Sequence, residues 1–381
     1  MTVLQKYFAS EIFKSVFFVL IAFLALFAFF DLMGELKSVG RGGYQLQHAF
    51  LYVLMGLPGY TYELMPIAAL IGTIWTLAQF ASRSEFTIMR VSSMSTLKAG
   101  WMLAKIGFVL IILTFLFGEF VSPIMSEMAE KIKLRAQGAS ISQEFRSGWW
   151  AKDVIKEHGL TGNVIGSRFL NVQDMRIDGE LRGVKLYEFD RNFRLKALVI
   201  AARAIYLGEN KWRLSEVSET LFPDVSLEHD LTSKDERVID TKTAATRDLI
   251  SEITPDILSV LFADPDRMSA YDLSAYTKHL AENKQRTDRY EIAFWKKLIY
   301  PFAVIVMMAL ALPFAYLQVR AGGVSLKIFV GIMIGVSFQL LNSLFSHLGL
   351  LNTWPPFATA VLPSFVFLLM AMGALWWVEK H

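Results

Sequence analysis

The sequence predicts a polytopic α-helical membrane protein of six transmembrane helices with an inserted, jelly-roll-like all-β domain. Three observations lead there. Hydrophobic residues make up 54% of the 381 positions and aromatics 13%, with a mean hydropathy of +0.40, which is too apolar for an ordinary soluble domain. Several apolar runs reach the ~20 residues needed to cross a bilayer. Between the third and fourth runs the patterning changes to alternation of polar and apolar residues, and residues 119–297 carry 27 Lys and Arg against 29 Asp and Glu.

Helix 1 is expected over residues 12–32, with residues 16–30 free of charge and Lys14 able to reach the inner interface. No small-residue cleavage site follows it, so it reads as a retained helix rather than a removed signal peptide. The segment DLMGELKSVGRGGY leads to helix 2, residues 49–80, where Pro58 and Pro66 are expected to bend the helix or split it into an outer and a spanning half. A short, polar, basic stretch over 79–98 then precedes helix 3, residues 99–121, which is expected to stop at Ser122–Pro123. MSEMAEKIKLRAQG reads as a helical extension beyond the membrane. The segments WWAKDVI, GSRFLNVQDMRI, GVKLYEFD, FRLKALVIAARAIYL and KWRLSEVSETLF alternate with period two between Gly, Asn and Asp punctuation, as the strands of a sandwich or jelly roll do. There is no cysteine, so this domain is held without disulfides. Residues 255–291 return to helical patterning as a connector. Helices 4, 5 and 6 are expected over 295–319, 326–347 and 354–378, with Lys296 and Lys297 at the outer interface and Trp376 and Trp377 at the inner one. The domain boundaries so read are 1–122, 123–290 and 291–381, with a cytosolic helix at about 82–97.

Charge sets the orientation locally. Residues 1–15, 81–105 and 317–327 carry +1, +3 and +2, and short Lys- and Arg-rich segments stay in the cytoplasm. Both termini and the 79–98 stretch are therefore expected inside, with the β domain outside. In that stretch Phe86, Met89 and Val91 fall near one helical face while Glu85 and Arg90 point elsewhere. A solvated turn and a docking helix for a cytosolic partner are the two readings these residues leave open.

Catalytic signatures are missing from the sequence: no phosphate-binding glycine loop, no H-E-x-x-H, no G-x-S-x-G, and six histidines without metal-ligand spacing. No metal site and no nucleic-acid partner are expected. Glu63 invites a role because charge in hydrocarbon is costly; it either faces a cavity, pairs with Lys105, or lies at a wetted break between its two prolines. Gln339, Asn342, Ser343 and His347 of helix 5 are about one turn apart, as a polar seam or as interhelical hydrogen bonds. Lys37 and Arg41, with Lys133 and Arg135 on the extension after helix 3, form a basic set at the outer membrane edge, suited either to phosphate or to generic interface anchoring.

Taken in order, SRSEFTIMRVSS, LKSVGRGGY, GEFVSP, GWWAKD and KWRLSEV resemble the permease subunits of the lipopolysaccharide exporter of Gram-negative bacteria, nearer the LptG type than the LptF type, over essentially the whole chain. The resemblance implies an inner-membrane transporter subunit, not an enzyme, that extracts lipopolysaccharide from the outer leaflet of the inner membrane and passes it through a periplasmic bridge. It implies an LptF-type permease as heterodimer partner, two copies of a cytosolic LptB-type ATPase that bind ATP and Mg, and a single-helix LptC-type protein, with no cofactor in this chain. Glu85 with Arg83, Phe86, Met89 and Arg90 would form the ATPase-coupling helix, helices 1 and 5 the lateral gate, and Lys37, Arg41, Lys133 and Arg135 the lipopolysaccharide-binding set. Ser38 stands where a second lysine is common in the family, and Ser93 where a glycine is frequent. A membrane-anchored envelope receptor or assembly scaffold is the alternative function.

Overall fold

The computed structural model describes residues 3–40, 42–85, 88, 96–137, 148–176, 179–222, 240–260, 264–283, 285–316, 324–352 and 354–380. Six helices among them are long and apolar enough to cross a membrane. The chain enters through α1 (Val3–Glu35), α2 (Leu46–Ser82) and α3 (Thr96–Leu116), the last running through a π-turn (Phe117–Val121) into α4 (Ser122–Gln137). Six strands follow: β1 (Trp149–His158), β2 (Thr161–Met175), β3 (Leu181–Asp190), β4 (Leu195–Gly208), β5 (Lys211–Leu221) and β6 (Asp240–Ile250). The chain returns through α5 (Pro255–Val260), α6 (Ala270–Glu282), α7 (Asp288–Ile299), α8 (Ala303–Ala311) and α9 (Pro313–Tyr316), then α10 (Val324–Asn352) and α11 (Pro356–Lys380).

The most buried helix is α2: Met65, Ala68, Ala69, Leu70, Ile74 and Leu77 are fully enclosed. Without a hydrophobic drive between helices in lipid, small residues let backbones approach, and α2 uses this on two sides. A Cβ on Gly72 would lie 2.6 Å from the Val16 backbone of α1, and one on Gly335 of α10 would lie 2.8 Å from Ile67. Both α1 and α10 therefore pack on α2, yet they leave Phe18, Ile21, Phe29, Phe30, Phe329, Met333 and Leu340 exposed.

Of the two effects expected of Pro58 and Pro66, bending or splitting, the split does not occur: both lie inside one continuous α2. Near Pro66, Tyr300 Oη donates to the Glu63 carbonyl at 2.5 Å. Helix 3 likewise does not stop at Ser122–Pro123. The π-turn places Pro123 in the first turn of α4, where a missing N–H costs little, and the rod continues to Gln137. Lys297 also departs from its expected interface position: it is 4% exposed, its ammonium 4.9 Å from the centre of the Tyr62 ring. Lys296 stays at the surface beside Asp266 at 3.2 Å.

The inserted domain is a six-stranded antiparallel sheet in sequential order, β1 to β6. Alternation buries Leu170, Val172, Val184, Leu186, Val199, Trp212 and Leu214 on one face, with Ile253 and Leu258 from the chain after β6. The sheet curls until its edge strands meet. Arg168 of β2 reaches Asp153 of β1 and the Ile250 carbonyl of β6, each at 3.2 Å, and Ser251 Oγ donates to Asp153 at 2.7 Å. Across the curl, Arg247 of β6 holds Glu188 of β3 at 3.3 Å and Glu219 of β5 at 3.2 Å. Burial pushes the Asp153 carboxyl up from its ordinary range, against the opposing pull of Arg168 and Ser251.

Candidate functional site

Two polar sites lie at opposite ends of α1. At the first, α2 ends at Ser82 with Arg83 as its cap, and Ser84 takes the left-handed conformation, φ 61°, which turns the chain sharply. Beyond it, Ile88 N donates to Ser84 O at 3.1 Å. This puts Glu85 back beside the start of α1, where Tyr7 Oη donates to its carboxylate at 3.1 Å and the Arg83 guanidinium stands 3.9 Å away. The Tyr7 ring rests against Phe80, centroids 5.6 Å apart. Phe86, Met89 and Arg90 lie outside the described residues.

The second site is at the β-domain end. After Glu35 the chain forms a 3₁₀ turn, Leu36–Ser38, and then uses glycines at positive φ, Gly40 at 92° and Gly42 at 58°. The conformation is required by close approach: Gly43 N donates to the Ala136 carbonyl in the last turn of α4 at 2.8 Å, and a Cβ on Gly42 would sit 2.1 Å from the Gln137 oxygen. The loop thereby satisfies a carbonyl that the helix end leaves open. Glu35 accepts from Lys133 Nζ at 2.8 Å through one oxygen and from Tyr44 Oη at 3.0 Å through the other. Lys133 also lies 4.6 Å above the Tyr52 ring, whose hydroxyl donates to Glu130 at 2.8 Å. Burial, then the bond to Glu35, pushes the Tyr44 phenol far up, so it stays a donor.

The loop that carries Lys37 is therefore seated on the last turn of α4, which carries Lys133 and Arg135. Lys37 and Arg135 are exposed while Lys133 is masked by Glu35; Arg41 lies outside the described residues. Glu63 lines a cavity of about 20 Å³ with Tyr60, Ser122, Ser126, Asp266 and Arg267. Of the readings left open for it, the cavity is present, whereas its charged neighbours are Lys296, Asp266, Arg267 and Asp264 and do not include Lys105. On α10, Asn342 is buried and Gln339 half-buried with its oxygen 3.5 Å from Tyr300 Oη, whereas Ser343 and His347 face outward, so the four do not form one seam.

The sequence reading missed Glu35, Tyr7 and Glu119. Glu35 carried a weak signal: an acid at a helix end beside the basic loop. Glu119, on the π-turn, accepts from Ala270 N at 2.8 Å and Tyr271 N at 3.3 Å, capping α6 and tying the returning chain to the bundle. Nothing local in the sequence connects residues so far apart.

The family model of the lipopolysaccharide export system permease LptF/LptG matches residues 6–378. The chain belongs to this family. Among its relatives, the lipopolysaccharide export system permease protein LptG of Escherichia coli K12 is 30% identical over 374 residues, covering 98% of each chain. That of Haemophilus influenzae Rd is 28% identical over 376 residues, covering 98% of this chain and 97% of the relative. The six apolar helices and the inserted sheet are the architecture in which this permease holds its two polar sites.

Proposed function

We propose that the permease extracts lipopolysaccharide from the outer leaflet of the Gram-negative inner membrane, driven by ATP hydrolysed on a separate cytosolic subunit. The observation that carries the reading is the composition of α1: a long apolar surface left uncovered, ending in a loop of cationic side chains on α4. An amphiphile with acyl chains and phosphates meets both halves of that surface. Acyl chains run beside α1 and α10, whose exposed faces supply the lateral gate, and Lys37, Arg41 and Arg135 meet the phosphates, with Lys133 behind them.

On this reading both termini and the Glu85 stretch are cytoplasmic and the sheet is periplasmic. An LptF-type permease covers part of the exposed helix surface, and two copies of an LptB-type ATPase receive the coupling stretch and hold ATP and Mg. A single-helix LptC-type protein and a periplasmic bridge accept the lipid, through strand addition at a sheet edge. Arg83, Glu85, Phe86, Met89 and Arg90 supply the ATPase contact.

The test is reconstitution of the full complex in proteoliposomes with an acceptor for lipopolysaccharide. ATP-dependent transfer is the expected result. Transfer that needs no ATP, or none in the presence of active ATPase, overturns the proposal.

A further inference from the structure

Among the described residues of the basic set, Lys133 is the cation with an internal anion already on it. Glu35 lies 2.8 Å from its ammonium, and the two side chains are 14% and 23% exposed. Tyr44, 1% exposed, fixes the other oxygen of Glu35, while Tyr52 lies under the ammonium and is itself oriented by Glu130. Glu35 is also the last residue of α1, the helix whose apolar face is left uncovered. Its carboxylate thus does two things: it neutralises the Lys133 ammonium, and it ties the end of α1 to α4.

We propose that Glu35 is an internal stand-in for the substrate's phosphate, holding Lys133 and docking α1 on α4 until a phosphate monoester takes its place. This rests on the lipopolysaccharide-export reading above and adds a regulatory step to the same site. The exchange is favourable on charge. A phosphate monoester carries about −1.5 to −2 at neutral pH and offers three acceptor oxygens, against −1 and two for a carboxylate. The partial exposure of Lys133 leaves the incoming oxygen a side from which to approach. Once displaced, Glu35 no longer clamps α1, and lipid arrival itself loosens the helix beside which the acyl chains run. A resting permease, in turn, keeps its innermost cation neutralised and α1 closed.

The experiment uses the complete complex in nanodiscs. The natural sequence has no cysteine, so spin labels at Met33→Cys on α1 and Met128→Cys on α4, both exposed positions, report the clamp directly. Adding phosphorylated lipopolysaccharide should lengthen the label distance in the wild type, and Glu35→Gln should show the longer distance without lipid. Glu35→Gln should also bind lipopolysaccharide more tightly, by about threefold to tenfold, while Glu35→Asp returns towards the wild type. Dephosphorylated lipopolysaccharide should leave the distance unchanged, and a shift with it overturns the proposal. Inorganic phosphate as the probe separates the sources: a shift with lipopolysaccharide and not with free phosphate assigns the displacement to the lipid, and a shift with free phosphate alone overturns that assignment. If Glu35→Gln binds no more tightly while Lys133→Ala still weakens binding, Glu35 is only a structural anchor and the proposal falls with the export reading intact. If the wild type itself binds no lipopolysaccharide above the nanodisc background, the export reading falls.

Discussion

Each end of α1 is held by a carboxylate, yet the surroundings differ. At the Glu85 end the partners are Tyr7, 40% exposed, and Arg83 at 3.9 Å. Such exposed contacts are screened by water and contribute little to folding. At the Glu35 end the carboxylate is 14% exposed and has two close donors, backed by a ring and by a loop bonded to α4. Removing one partner there leaves a charge without compensation. The difference separates two uses of the same chemistry: Glu85 has an exposed and a distant partner, whereas Glu35 is enclosed between two close donors that tie α1 to α4.

Substitutions can break or sharpen that contrast. Glu85→Lys should have the largest functional effect, because like charge across a docking face costs several kcal/mol. ATPase stimulation should fall by about a hundredfold or more, with insertion and thermal stability unchanged; coupled hydrolysis and export retained in this variant would remove Glu85 from the docking site. Gly42→Ala should reverse the pattern. An L side chain at φ 58° and 2.1 Å from the Gln137 oxygen should cost about 2 kcal/mol or more, seen as a lower melting temperature of the detergent-solubilised chain. Lys133→Met should follow at about 1.5 kcal/mol, with much of the loss recovered in the Glu35→Gln, Lys133→Met double variant, a non-additivity that an exposed pair would not show.

A smaller effect concerns the connector near the β domain. Burial holds His279 below its ordinary range. The unfolded chain therefore takes up the proton first, so this contribution to stability is present above a pH of about 6.5 and is lost as the pH falls through the depressed value. The hydrogen-exchange protection factors of α6, corrected for the intrinsic slowing of exchange in acid, should fall on acidification, and His279→Gln should flatten that slope. Tyr7→Phe should be the mildest, within about twofold in ATPase stimulation; a larger loss would mean that the hydroxyl positions Glu85 for its partner.

Much of this organisation was legible from local chemistry. Charge-free runs of about 20 residues fix helices in lipid, and period-two alternation marks strands with one buried face. The membrane helices therefore lie close to where patterning places them, and the loop that follows α1 is seated on the last turn of α4. Breaks were harder to read. Pro58, Pro66 and Pro123 carry strong local signals for interruption, but α2 runs on through the first two, and a π-turn sets the third in the first turn of α4. Lys297 reads as an interface cation because it stands beside Lys296 at the start of an apolar run, and only packing against α2, with the Tyr62 ring 4.9 Å from its ammonium, encloses it.

By itself the sequence determined the solvent of each segment, since hydropathy, charge and side-chain period are properties of consecutive residues. It thereby determined six spans, a β insertion and a basic loop at one membrane edge. The tertiary structure decided which charges are available. Lys133 is answered by Glu35, Glu119 is spent on the α6 terminus and Glu85 is left with weak partners. These pairings join residues 98, 151 and 78 positions apart, and a Coulombic or hydrogen-bonded contact depends on distance in space and on burial, neither of which a local pattern encodes.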